Sequence, residues 1–418
     1  MAQLRCRECG SSFEVGAYPR GCPTCAVKGK LGLLEVTYAY DGETRRQLQE
    51  ALEKPKRRTL WRFDCLLPLR AEDEHTVTLG EGGTPLLNAG WLSCFTGAGQ
   101  VYLKNETANP TWCSKDRANT VSVSIGRSLG APGMVAITTG NHGASMVAYS
   151  ARAGVPAIAL CSPHSDGIHR AMISVCGGTA IVCEDPGPIL RHLVHDCGWF
   201  PATSMGESDA PNPFGVEGCK TIAYEVCDDL QGLPDVVLVP AASGDLLYGV
   251  YKGFRELADL GFTKGCPRMI GCQAVGAAPL ALAVHSHLQE VPILPNPTTV
   301  ALSVGDATSG KHALEAVAAS KGDVLTVSDA EILEAQRCLA TNGLLVEAAA
   351  ATTVAALASG VRSGAVGARE RVVCLLTGAG VKWSTQFLSA AMGRVLTEPT
   401  LSTVSALAQA HQEDKGRC

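Results

Sequence analysis

Between Met134 and Pro240, short apolar and β-branched runs alternate with Ala-rich windows whose apolar positions recur at helical spacing. The runs are "MVAITTG", "PAIALCS" and "TAIVCED", and the windows between them are "ASMVAYSARAG" and "GIHRAMISVCG". Strand, helix, strand in that order predicts βαβ units on a parallel sheet. A second series, "DVVLVPAASG", "MIGCQAVG", "DVLTVS" and "RVVCLLTGAG", predicts another sheet of the same kind. A charged stretch from Thr44 to Arg58 predicts a helix, and the closing "LSTVSALAQAHQEDKGRC" predicts a peripheral helix with a frayed end. No tandem repeat is evident.

A chain of 418 residues exceeds one ordinary small core and predicts two packed domains plus an appendage. With 46% hydrophobic residues, 18% charged residues and 45 glycines, the composition is that of a globular α/β protein. The formal net charge is -5 and no long basic run is present, which argues against nucleic acid and membrane surfaces as partners. The first residues, "MAQLRCRECG", carry no apolar signal region, and no segment reaches the length of a spanning helix, so a cytoplasmic location is expected.

Most of the 18 cysteines sit singly in apolar runs, where a thiol acts as a small hydrophobe. Four differ. Cys6 and Cys9, then Cys22 and Cys25, form C-x2-C, twelve residues, C-x2-C. Two such knuckles supply a closed four-thiolate site suited to structural zinc; a knuckle without metal and a redox pair are the other readings.

Three predicted strands end in small glycine-containing turns. At "ITTGNHGAS" backbone amides and the hydroxyls of Thr138 and Thr139 converge at a helix start, an anion site by geometry. At "VPAASGDLLYG" the device recurs, with Gly244 in the turn and Asp245 expected at the N-cap. At "LLTGAG" Thr377 ends a buried strand. A lysine, Lys115, opens a helical pattern in "NPTWCSKDRANT", where Ser114, Lys115 and Asp116 also read as an ordinary helix cap. Each turn alone is common in α/β proteins. A phosphate cradle, a lysine and a hydroxyl at a strand end together suit pyridoxal 5'-phosphate.

In their order along the chain these segments resemble the threonine synthase-like branch of the type II (tryptophan synthase β-like) pyridoxal-phosphate enzymes. The knuckles with "LEVTYAYD" resemble its N-terminal ribbon, and "GEGGTPLL" its leading strand. "NPTWCSKDRAN" resembles its lysine motif, and "TTGNHGASMVAYSARAG" its Gly-Asn loop. "NPFGVEGCKTIAYEV" resembles its N-P-x-R-x-E-G-x-K-T helix start, and "VEAAAATTVAAL" its E-P-x-x-A segment. The resemblance implies an α/β fold with two parallel-sheet domains and an N-terminal four-cysteine zinc ribbon. Its units would be ribbon-like knuckles at 1–36, a large cofactor-binding domain at 37–115 and 226–400, a small domain at 116–225 and a tail at 401–418. It implies Lys115 as the Schiff-base lysine and proton-transfer base, and Asn141 as partner of the ring oxygen. Ala242, Ser243, Gly244 and Asp245 would form the phosphate nest, and Thr377 would face the pyridine nitrogen. Thr138, Thr139 and His142 would line the substrate carboxylate pocket, and Asp116 and Arg117 would lock the lysine helix.

Two positions depart from the branch. Gly215 and Ser303 stand where an arginine that clamps a substrate phosphate is usual, which leaves Lys220 and Arg117 as candidate sources of positive charge. The resemblance implies elimination or replacement at Cβ or Cγ of a small amino acid, with threonine synthase as the nearest activity. β-Elimination or β-replacement on a serine-like or threonine-like substrate, of the ammonia-lyase, dehydratase or cysteate synthase kind, is the second reading. A non-catalytic, cofactor-holding interaction protein is a third. A homodimer is expected.

Overall fold

A computed structural model describes residues 2–53 and 59–383. The expected tail at 401–418, the segment 384–400 and the end of the Thr44–Arg58 helix lie outside the described residues. That helix runs Gly42–Glu53 as far as it is described. Three strands, β1 (Gln3–Cys6), β2 (Ser12–Phe13) and β3 (Leu34–Thr37), form an antiparallel ribbon in the order β2-β1-β3. Next come β4 (Leu86–Asn88) and β5 (Gln100–Asn105). The chain then builds β6 (Met134–Thr138), β7 (Ala157–Cys161), β8 (Thr179–Val182) and β9 (Phe200–Pro201). It returns through β10 (Val236–Pro240), β11 (Arg268–Ala274), β12 (Asp323–Val327) and β13 (Arg371–Leu376).

The larger sheet has the order β12-β11-β10-β13-β5-β4, with only β4 antiparallel; the smaller, β8-β7-β6-β9, is parallel throughout. Parallel strands need helices on both faces, and the side-chain period of two delivers them apolar surface. In β13, Val372, Cys374 and Leu376 join one core with the Ala-rich helix Ala348–Ser363, while Val373 and Leu375 join another. That second core holds the helices Gly215–Leu230 and Asp245–Asp259. In the smaller sheet, Met134 and Ala136 face a core shared with Val121, Val123 and Ile125 of the helix Lys115–Ser128 and with Leu4, Leu34 and Val36 of the ribbon. Val135 faces the opposite cluster with Leu160 and Leu190.

Buried charges tie these layers together. Lys252 donates to Glu217 (2.6 Å) and to the carbonyl of Val36. Lys220 meets Glu217 at 2.6 Å and Glu256 at 3.0 Å, with its ammonium 4.0 Å from the centroid of the Tyr38 ring. The hydroxyls of Tyr38 and Tyr40 donate to Glu217 and Glu256 at 2.8 and 2.9 Å. From the ribbon, Arg7 donates to Glu35 (3.2 Å), Glu315 and the hydroxyl of Tyr248, and Arg255 also reaches Glu35 (2.8 Å). Burial alone would raise the Glu35 carboxyl, but Lys252, Arg255 and Arg7 outweigh it and hold its pKa at about 2. Among the described residues no helix is long and apolar enough to cross a membrane.

Candidate active site

The carboxyl ends of the strands in both sheets open on one cavity of about 370 Å³. Ligands of open parallel sheets bind at these ends. Lys115 lies on its wall as the first residue of its helix, behind Ser114 at the N-cap. The Ser114 side chain makes no capping bond. Asp116 instead reaches back, accepting the amide of Thr111 and the hydroxyl of Ser145, each at 2.6 Å. The loop after β13 fixes the lysine turn from the other side, because Ser114 N–H donates to Thr377 O at 2.8 Å and Ala379 N–H to Trp112 O at 3.0 Å. Lys115 and Thr377 therefore share one backbone frame.

The turn after β6 is locked by the Thr138 hydroxyl, which accepts the amides of Gly140 and Gly143 at 2.8 and 2.9 Å. Gly140 has φ of +153° and a side chain there would meet the His169 ring at 2.7 Å, so only glycine fits. His142 is half-buried beside Lys115, and loss of solvent together with the lysine's charge lowers its pKa to about 4. It is neutral at pH 7, with Nε2 facing the Ala202 carbonyl and Nδ1 3.4 Å from the Asn119 amide nitrogen. The Asn141 amide is committed at both ends: Nδ2 donates to Glu347 (2.8 Å) and Oδ1 faces His169 Nε2 (3.1 Å). Its second N–H faces Ser303 Oγ at 3.4 Å, a long contact that leaves this proton open to a cofactor oxygen.

The turn after β10 carries Ala242, Ser243, Gly244 and Asp245, all on the cavity wall. Gly244, not Asp245, occupies the N-cap of the next helix. Its φ of +97° and the approach of Ala313, 2.4 Å from where a Cβ would stand, exclude larger residues. Asp245 turns its carboxylate to Ser204 Oγ (2.9 Å), the Met205 amide and His312 Nε2 (2.9 Å). The amides of Gly244, Asp245 and Leu246, at the start of a helix, have no carbonyl four residues back to bind and point out of it.

Thr138, Thr139, Asn141, His142 and Thr377 line the same cavity as Lys115 and the turn. Lys220 does not. Its ammonium is buried between Glu217 and Glu256. Gly215 and Cys219, one helical turn apart, face the cavity; Lys220 lies five residues past Gly215, about 140° further round the helix. Arg117 is also outside, fully buried between Glu106 (2.7 Å) and Glu225 (2.8 Å), so it anchors the lysine helix. Among the described lining residues Lys115 is the one lysine or arginine, against Glu184, Glu207, Asp245, Asp306 and Glu347. Sequence reasoning missed Asp306, His169, His312 and the role of Glu347, which gathers Asn141, Ser303 and Trp383. Only Glu347 had a signal, in the "VEAAAATT" segment.

In the N-terminal ribbon the four knuckle sulfurs lie within 4.8 Å of one another, with Cys6–Cys25 at 3.7 Å and Cys9–Cys22 at 3.6 Å. A tetrahedral zinc with Zn–S near 2.3 Å sets sulfurs roughly 3.8 Å apart, so the cluster is compatible with a zinc ribbon.

A lysine-bearing cleft between two parallel sheets, with an amide nest opposite, defines the type II pyridoxal-phosphate class by fold. The family model "Pyridoxal-phosphate dependent enzyme" matches residues 77–378. The chain is 34% identical over 387 residues to the threonine synthase of Methanocaldococcus jannaschii, covering 90% of this chain and 92% of the relative. It is 36% identical over 318 residues to that of Mycobacterium tuberculosis, covering 74% and 85%. The chain belongs to the pyridoxal-phosphate dependent enzymes, in their threonine synthase-like group. Maize serine racemase superposes with a TM-score of 0.64 at 18% identity, over 84% of this chain and 97% of that one. The processed form of threonine deaminase isoform 2 from Solanum lycopersicum gives 0.63 at 19%, over 90% and 96%. These two show the fold alone.

The cavity fits the cofactor in volume, in the placement of Lys115 and in the outward amides of Gly244, Asp245 and Leu246.

Proposed function

We propose that the protein is a lyase of the threonine synthase-like kind, acting by elimination or replacement at Cβ or Cγ of a small amino acid. The observation that carries this reading is Lys115, the one lysine or arginine of the described wall, in one cavity with an amide nest and Thr377. Pyridoxal phosphate, when bound, supplies a ring that accepts negative charge from the substrate's Cα. Lys115 would hold the cofactor's aldehyde carbon and, once displaced by substrate, move the Cα proton. With the Gly140 and Gly143 amides held by the Thr138 hydroxyl, the amides of Asn141 and His142 at the helix start would take the substrate carboxylate, and the neutral His142 ring would shape that pocket rather than give a proton. Thr377, uncharged, would leave the ring nitrogen unprotonated, which favours elimination over transamination. Borohydride treatment of the coloured protein followed by peptide mapping should label Lys115; labelling elsewhere would refute the assignment.

A second reading, β-elimination or β-replacement on a serine-like or threonine-like substrate, is favoured by the missing anion clamp. Gly215 and Ser303 offer no charge to the cavity, and Lys220 and Arg117 spend theirs in buried pairs. A panel of O-phosphohomoserine, O-phosphoserine, serine and threonine, with product mass as readout, separates the two.

We propose also that the ribbon holds one structural zinc through Cys6, Cys9, Cys22 and Cys25, supported by the sulfur spacing. Metal analysis of gently purified protein should return one zinc per chain; well under one would remove the metal from this account.

A further inference from the structure

His169, on the helix Gly167–Val175, is fully buried and does not itself line the cavity. Its ring lies against Gly140, and its Nε2 faces Asn141 Oδ1 at 3.1 Å. The chemistry of the partners fixes the hydrogens in this set of contacts. Trp383 Nε1 can only donate, and it donates to Glu347 Oε2, so that oxygen is an acceptor. Asn141 must then turn Nδ2 to the same oxygen, at 2.8 Å, which leaves Oδ1 on the side of His169. An amide oxygen only accepts, so the His169 hydrogen stands on Nε2. Its Nδ1 is buried and has no hydrogen-bond partner among the described residues. The His169 and Trp383 rings meet edge-on at 4.7 Å, which closes the circuit around Asn141.

One hydrogen bond would leave the Asn141 amide free to turn about it. Two, at opposite ends, fix its plane. The second Nδ2 hydrogen then has one direction, towards Ser303 Oγ and the cavity that both residues line. We propose that His169 is a positioning residue of the cofactor site: with Glu347 at the other end, its Nε2–H holds the Asn141 amide so that the free N–H meets the cofactor's ring oxygen. The proposal rests on the cofactor reading given above.

The test has two arms, both on the full chain. In the first, protein labelled with nitrogen-15 in histidine is observed by NMR without added cofactor, and the His169 signals are identified by their loss in His169→Gln. Couplings to the ring C–H groups should place the single ring hydrogen on Nε2; a hydrogen on Nδ1 would overturn the proposal. In the second, cofactor-free protein is titrated with pyridoxal phosphate while absorbance is followed. His169→Gln keeps a donor for Asn141 and should bind within about threefold of wild type. His169→Met fills the space without a donor and should bind about tenfold more weakly, with its visible band displaced, because a hydrogen bond to a charged oxygen weakens steeply when its angle is lost. His169→Leu repeats this arm in case the first variant folds poorly. Equal binding by all, or an equal loss in the Gln and Met variants, would overturn the proposal and leave the cofactor reading standing. A wild type that binds no pyridoxal phosphate would remove the cofactor reading and this proposal with it.

Discussion

The helix Gly215–Leu230 separates two charged regions built on opposite principles. On one flank, Lys220, Lys252 and Arg117 each meet carboxylates within about 3 Å, and nearly all of these groups are fully buried. On the other flank, the cavity sets one lysine against five carboxylates. Charges that hold the architecture are matched within the chain. Those of the site lack that balance. Among the described residues, only Asp245 of the five carboxylates has a basic side chain at ion-pair distance, His312 at 2.9 Å. The rest is left to be completed by something that binds. The same helix serves both, because residues one turn apart, Gly215 and Cys219, share the cavity side while Glu217 and Lys220 turn to the lattice.

Breaking the lattice should have the largest effect on stability. Arg117→Met leaves Glu106 and Glu225 without their guanidinium in a fully buried setting, and should lower unfolding free energy by about 3–5 kcal/mol in urea titrations. Adding Glu106→Gln should recover part of the loss. If the single variant costs nothing, the lattice is not what holds the lysine helix.

Acid should act next. Glu35 sits at about 2 in the folded chain against an ordinary 4.5, so its contribution is complete above 4.5 and disappears as pH falls towards 2. That contribution is about 3 kcal/mol at most, from the pKa difference. Urea midpoints measured at pH 5 and pH 3 should differ, and Glu35→Gln should flatten part of the slope.

The smallest effect sharpens the site side. A Cβ at Gly215 would meet only Ala118 and Ser122, both at an ordinary 3.6 Å, so a side chain can be added towards the cavity. Gly215→Arg should improve use of O-phosphohomoserine roughly tenfold in kcat/KM, the scale of one charge-assisted contact, and leave neutral amino acids unchanged. A gain for every amino acid alike would mean that the arginine acts on something other than the phosphate.

The contrast also explains what the sequence disclosed. Buried parallel strands such as β10 are continuous apolar runs, and the spacing of the paired cysteines predicts that four thiols come together, so both were legible. Lys115 and the turns stood out because helix starts and glycine turns are local features. Lys220 was misplaced because nearness in sequence to Gly215 says nothing about which face of a helix a residue takes, or whether Glu256, 36 residues on, will claim it. Asp306 was invisible for the same reason. It shares the cavity wall with Ser243 and Asp245 only through tertiary folding.

Arg7 has a further consequence when the chain is considered as it is made. The ribbon is synthesised well before the partners that dock it, Tyr248 and Glu315, which are 241 and 308 residues further along. At a few to twenty residues per second, it waits many seconds for its dock. Its own apolar core, chiefly Leu4, Leu34 and Val36, is too small to hold three short strands through that interval. Four thiols gathered around one ion would let the nascent ribbon keep its shape unaided. When the rest arrives, Arg7 reaches Tyr248, whose ring packs edge-on against His312, the partner of Asp245. A segment made long before the nest thus supports it from behind.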